Sequence, residues 1–379
     1  MCIRDRSEDT RIVSFYAPTA KARLAISMAL VIEKDRVWHY PIPGRHTLKA
    51  RTATFNATHG DAPSAAAALY ADLLGPALEQ GLPRQLVIIT DSALHGLPFA
   101  ALRQTAETPP LGTLLELTEG PSVSLWHRRA ERQAPIDGPF LGLADPQFGS
   151  QAIQGHLLGD PGRLPRTLDE AAAVRALGGT TFDGPEATAT RWQGRQPRLL
   201  HLAAHAFSPR HDPRSAGLLL APHDGDDGWL STRDVIAEPV PGAVVALSGC
   251  QSIGKGPSNG QGVEGLPQAF LQAQAATVIA SLWPVRDDHG ARFFTSFYGH
   301  IGLGKTIGEA MRDTRAELVH AGAPAELWAN FIVLGDPDIQ LVPPRPISST
   351  NSLLGLLGLL GLLGLGGYSI SRTSRRSDT

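Results

Sequence analysis

The sequence predicts an open, mostly parallel α/β sheet with helices on both faces. Three observations predict it. Short runs of Val, Ile, Leu and Ala recur along the chain, of the length and composition of buried strands. In the second half these runs alternate with segments of helical period, the pattern of a parallel sheet with crossover helices. Glycine and proline are plentiful, 40 and 30 of 379 residues, so turns are frequent, while 42% hydrophobic residues suffice for a core.

The opening MCIRDRS is short, charged and unrelated to the rest of the chain, and residues 1–7 are set aside as a non-native prefix. Residues 23–44 predict two strands around a charged reversal at Lys34 and Asp35. Residues 62–80 predict a helix, with Leu69, Leu73, Leu74 and Leu78 at helical spacing, and 85–91 (QLVIITD) a buried strand. A helix is expected over 167–177, with Thr167 placed to cap it and Glu170 three residues on. Strands are then expected at 198–205, 243–250, 276–283 and 328–336, and helices at 267–275, 288–298 and 306–321. Residues 343–350 read as a linker. The Leu-Leu-Gly repeat beyond it (351–370) is uncharged, close to the lower length limit for a membrane span, and ends in Arg372, Arg375 and Arg376. Glycine every third residue is permitted in a membrane helix and weakens a soluble one, so a membrane-associated tail and a low-complexity extension both stay open.

The formal net charge of −2 recommends no nucleic acid as a partner. Two cysteines, Cys2 and Cys250, permit one disulfide at most. No apolar leader comes after the first residues, and a reducing cytoplasmic setting is expected.

The chemistry gathers at VVALSGCQSIGKG, 244–256. A free cysteine is often a small buried filler. Cys250, however, stands at the carboxyl end of its expected strand, before a glycine-rich loop, and His205 ends another strand in the same half. Open sheets bind ligands beyond the carboxyl ends of their strands, which brings His205, Cys250 and the loop 284–288 to one edge if their strands are neighbours. A thiolate with a histidine to manage the proton is a sufficient nucleophilic pair, with backbone amides to receive the oxyanion. His201 competes with His205. Four residues apart on one strand, the two face the same side, but His201 lies inside the strand and is expected in the core. His201, His205 and Cys250 are also permitted zinc ligands, but the spacing lacks the glutamate of a metallopeptidase helix, and neither metal nor cofactor is expected. Residues 299–306, GHIGLGKT, satisfy the phosphate-loop pattern. They come after a helical rather than a strand pattern, with Phe293, Phe294, Phe297 and Tyr298 on one face, so a helix end and a new helix start are expected there. DGDDG, 224–228, lacks the glutamate of a calcium loop and reads as a turn.

Taken in order, several segments resemble the CHAT domain, a caspase-like family related to clan CD cysteine peptidases and often joined to TPR repeats. They are LVIITDSALHGLPFAAL, RLPRTLDEAAAV, LLHLAAHAF, LSGCQSIGKG, AFLQAQAATVIASLWPVRDD and ELWANFIVLGDP. The likeness runs from about residue 20 to 340. It implies a three-layer α/β/α caspase-like fold with two related lobes, a scaffold lobe over 8–150 and a catalytic lobe over 151–342. It also implies a cysteine endopeptidase, with Cys250 as nucleophile, His205 as its proton partner, and the amides of Cys250 and Ala206 receiving the oxyanion. The substrate would be a protein or peptide. Asp287 resembles the acid of the family's loop after the next strand, where it either favours a basic residue of the substrate or holds the loop, the second being expected. Arg163 and Arg166 fall in a segment open to processing. Ala206 departs from the family's glycine after the histidine. If a left-handed turn is needed there, alanine strains it, and a catalytically inactive binding or scaffold module is the alternative. No TPR periodicity is visible, so a missing N-terminal region or a separate regulatory partner is expected to supply recognition.

Overall fold

The computed structural model describes residues 9–18, 26–91, 93–120, 137–149, 161–207, 216–249 and 265–343. Cys250 and the tail 351–379 lie outside the described residues. The chain divides into two units, Met1–Val342 and Pro343–Thr379, and every element below belongs to the first.

Strand β1 (Thr10–Tyr16) leads into the expected hairpin, β2 (Met28–Ile32) and β3 (Val37–Pro41), which reverses where Glu33 N–H donates to Arg36 O. Helices α1 (Arg45–Asn56), α2 (Pro63–Leu73) and α3 (Gly75–Leu78) lead into β4 (Gln85–Ile89), all five residues of which are buried, and then β5 (Glu116–Gly120). The helix expected over 62–80 is therefore broken at Leu74, directly before Gly75 and Pro76.

The second half opens with β6 (Phe140–Pro146), α4 (Thr167–Ala176), β7 (Thr180–Gly184) and β8 (Leu199–Ala203). Three short strands, β9 (His205–Phe207), β10 (Gly217–Leu219) and β11 (Trp229–Ser231), precede α5 (Thr232–Ala237). Then come β12 (Val244–Ser248), α6 (Leu266–Gln272), β13 (Thr277–Ser281), α7 (Asp287–Gly302), α8 (Ile307–His320), α9 (Ala325–Trp328) and β14 (Phe331–Gly335).

Eleven of these strands form one sheet in the order β3-β2-β1-β4-β5-β14-β13-β12-β8-β6-β7. The block β13, β12, β8, β6 and β7 is parallel throughout, as is β1, β4 and β5. β14 joins the two blocks, meeting β5 at Leu334 and Glu119. β6, on the N-terminal side of the boundary expected at residue 150, pairs with β8 and β7 beyond it. Every residue of β8, β12 and β13 is buried, which explains their near-continuous apolar sequences. Helices cover both faces, α4 packing on α7 and α7 on α8, and α5 on α6. Among the described residues, no helix is long and apolar enough to cross a membrane.

Candidate active site

β8 and β12 are immediate parallel neighbours, with Ala203 opposite Ser248. β8, which leads toward His205, and β12, which leads toward Cys250, therefore open at one carboxyl edge. β6 and β13 flank them, so the edge is built from four adjacent parallel strands.

At this edge the chain does something the apolar run LLHLAAHAF conceals. β8 ends at Ala203, and His205 begins β9, in a separate sheet of order β11-β10-β9, where it pairs with Leu219. The two histidines are thereby separated. His201 is fully buried, its Nδ1 2.9 Å from the Tyr298 hydroxyl and its Nε2 3.0 Å from Glu170 Oε2. Burial pushes the Glu170 carboxyl up, against the opposing pull of His201 and the Ser248 hydroxyl. His201 is thus the core histidine expected. Glu170 does not complete the expected capping box. Arg166 holds the N-cap position, while the Thr167 hydroxyl receives the Asp145 N–H and donates to Leu164 O.

His205 is 7% exposed. Its ring stands edge-on to Phe148, centroids 5.9 Å apart, and its Nε2 lies 2.9 Å from Gly162 O. A carbonyl oxygen only accepts, so Nε2 carries the hydrogen in this bond, and whenever the ring is neutral its lone pair is on Nδ1.

Gly249 is the last described residue before Cys250. A Cβ there would sit 2.5 Å from Ala204 O and 3.1 Å from Ala206 Cβ. Only a glycine lets the end of β12 approach the 204–206 segment this closely, and Ser281 Oγ holds the Gly249 carbonyl at 2.8 Å. Ala206 is an ordinary strand residue opposite Leu218, outside the positive-φ region. The strain that alanine would have introduced there does not arise.

Beyond β13, Asn330 Oδ1 accepts from the amides of Leu282 and Trp283, both at 3.0 Å, and fixes the loop that leads to Asp287. Asp287 Oδ2 accepts the Arg166 N–H at 2.9 Å, tying the start of α7 to the segment before α4. Burial pushes this carboxyl up, with the Arg166 amide pulling the other way. The bond is of the kind a loop-holding role requires.

Two residues of this edge escaped sequence reasoning, Asp145 and Gly162. Asp145, 5% exposed at the end of β6, binds the Arg163 guanidinium through both carboxylate oxygens. The apolar run FLGLADP, closed by Asp-Pro, was the available signal for the strand. Nothing local marks the Gly162 carbonyl.

The other two motifs resolve as expected. Gly299 and Gly302 lie in α7, Thr306 caps α8 in a capping box with Glu309, and Lys305 pairs with Asp313. In the turn 224–228, Asp226 and Asp227 accept from the amides of Gly228 and Trp229. Among the described residues no group of three or more His, Cys, Asp or Glu side chains is placed to hold a metal ion.

The CHAT domain family model matches residues 63–336. The chain belongs to the CHAT domain family. Tetratricopeptide repeat protein 28 of Homo sapiens is 26% identical over 76% of this chain and 13% of its own length, and its Mus musculus counterpart 25% identical over 76% and 14%. The chain thus spans about an eighth of the curated relatives it matches. Among solved structures, the Saccharomyces cerevisiae separase–securin complex aligns with a TM-score of 0.56 at 9% identity, covering 86% of this chain and 30% of that one. At that identity the likeness concerns the fold, and the fold of this CHAT chain is caspase-like.

Proposed function

We propose that this CHAT chain is a cysteine endopeptidase that cleaves a protein or peptide through a His205–Cys250 dyad. The observation that carries the reading is the setting of His205. Its Nε2 meets the Gly162 carbonyl, which assigns the lone pair of the neutral ring to Nδ1, and its segment 204–206 packs against Gly249, the residue before Cys250.

In this reading Nδ1 takes the Cys250 thiol proton, and the thiolate attacks the carbonyl carbon of the scissile peptide. The oxyanion is received by the amides of Cys250 and Ala206. The intermediate collapses, the imidazolium gives its proton to the leaving amine, and a thioester remains. Water, deprotonated by Nδ1, then releases the acid and restores the thiol. The tetratricopeptide repeat relatives, much longer than this chain, favour recognition of the protein partner by a separate region. A caspase-like module that binds a partner without cleaving it is the alternative.

The test treats the purified protein, Cys250→Ala and His205→Ala with peptidyl electrophiles bearing varied residues next to the reactive carbonyl, read by intact mass and labelling rate. Fast labelling that depends on the peptide and disappears in both variants is expected. Slow labelling that ignores both the peptide and His205 would leave the non-catalytic module.

A further inference from the structure

Asp145 is a buried carboxylate beside His205 that no step of the proposed reaction uses. It closes β6 at a register shift between Ala144 and Pro146, and its backbone sits at φ 41°. A non-glycine residue is held in that region only where surrounding bonds over-determine it. Those bonds are present. Oδ1 accepts from Arg163 Nε at 2.8 Å and from the Leu164 amide at 2.9 Å, and Oδ2 accepts from Arg163 Nη2 at 2.5 Å. Its own N–H donates to Thr167 Oγ1 at 2.8 Å, and that hydroxyl donates to Leu164 O at 2.6 Å. Both backbone groups of Leu164 are thus tied, directly or through Thr167, to Asp145. Gly162, two residues earlier at φ 79°, supplies the carbonyl that meets His205 Nε2.

We propose that Asp145 is a positioning residue for His205: by clamping residues 163 and 164 it holds the Gly162 carbonyl against Nε2, which keeps the hydrogen on Nε2 and the lone pair on Nδ1. Its consequence for catalysis rests on the dyad reading, whereas the tautomer it sets does not. The clamp is ionic. Although burial opposes it, the Arg163 hydrogen bonds and the Leu164 amide hold Asp145 below the usual carboxylate range, and a charged His205 favours the same anion. Arg163, its side chain 55% exposed, is the removable half of the clamp. Its engagement by Asp145 also gives it a structural role in the segment expected to be open to processing.

The experiment is a long-range proton–nitrogen correlation spectrum of the full chain, labelled at histidine, at a pH where imidazole is neutral. His205 is assigned by comparison with His205→Gln. The expected wild-type pattern is one protonated Nε2 and one unprotonated Nδ1. In Asp145→Ala the two resonances move toward the averaged values of a ring exchanging tautomers. In Arg163→Ala, which removes an exposed group and leaves the Leu164 bond, they move part of the way. Should Asp145→Ala not fold, Arg163→Ala and Asp145→Asn decide. A pattern unchanged in the folded variants overturns the proposal, and so does a wild-type ring protonated on Nδ1. With a peptidyl electrophile, Asp145→Ala is expected to slow Cys250 labelling about tenfold or more at saturating reagent. If the dyad reading fails instead, labelling ignores His205→Ala while the tautomer shift persists, so the two failures are told apart.

Discussion

At Gly249 a single methyl group separates a working strand end from a clash. The Ala204 carbonyl that a Cβ would meet belongs to the residue where the chain leaves the main sheet for β9. That contact is backbone, which cannot swing aside as a side chain would. Gly249→Ala is therefore expected to destabilise the fold by about 1–3 kcal/mol, the usual range for overpacking, and to slow Cys250 labelling. Urea unfolding and alkylation rate check this, and an alanine variant as stable and as reactive as the parent would sink the packing argument. At this scale the sequence separated the two histidines: His201 stood inside an apolar run and is buried, whereas His205 stood at its end, although it opens β9 rather than closing β8. Asp145 and Gly162 were not legible, because their relation to His205 depends on a carbonyl and a carboxylate brought from segments 43 and 60 residues away.

Helix α8 shows the same sequence read two ways, and its context decides. The pattern 299–306 satisfies a phosphate loop, but a helix precedes it where a strand would be required, and the Thr306 hydroxyl is spent on its own helix, accepting the Glu309 N–H. Thr306→Ala is expected to cost about 1 kcal/mol in thermal or urea unfolding, as loss of an N-cap does. Calorimetric titration with magnesium and ATP is expected to give no binding, and binding abolished by Lys305→Ala would restore the phosphate-loop reading. Element positions were legible wherever an apolar run was long and its period unmixed, as in β4, β8, β12, β13, α7 and α8. β1, α1 and β6 went unread. TRIVSFY comes directly after a set-aside prefix, α1 carries only three buried side chains in twelve residues, and β6 lies among turn residues. Even within β8 the break at Ala204 was hidden, since it reflects the pairing of β9 with β10 and not any local breaker.

The two parallel blocks of the sheet meet over buried charge. Glu119 faces Leu334 across the join, and Arg315 of α8, also buried, donates to Phe331 O at 2.8 Å. Burial pushes the Glu119 carboxyl up to about 8, with Arg315 opposing the shift. Between its ordinary value of 4.5 and about 8, the folded chain holds a proton that the unfolded chain has released. The stability from this group is therefore complete below 4.5 and is lost as pH rises through about 8. Urea midpoints are expected to fall over this interval, and Glu119→Gln is expected to flatten the fall. An identical slope in the variant would remove Glu119 as its source. Asp145, depressed rather than raised, acts in the opposite sense and only in acid, where protonation releases its hold on Arg163.

By itself, the sequence determined the alternation of strands and helices, because each is written in a local run of apolar period. Its ordered motifs carried the resemblance to the CHAT family, which the family match over residues 63–336 bears out and from which the His205–Cys250 proposal comes. The tertiary structure alone decided the rest. It made β8 and β12 neighbours, sent His201 into the core and His205 into a second sheet, cleared Ala206 of strain, and set Gly162 and Asp145 around the imidazole. The physical reason is one of range. Burial and period are encoded by neighbours along the chain, whereas the hydrogen bonds that fix a ring's orientation join segments that only the folded sheet brings within 3 Å of each other.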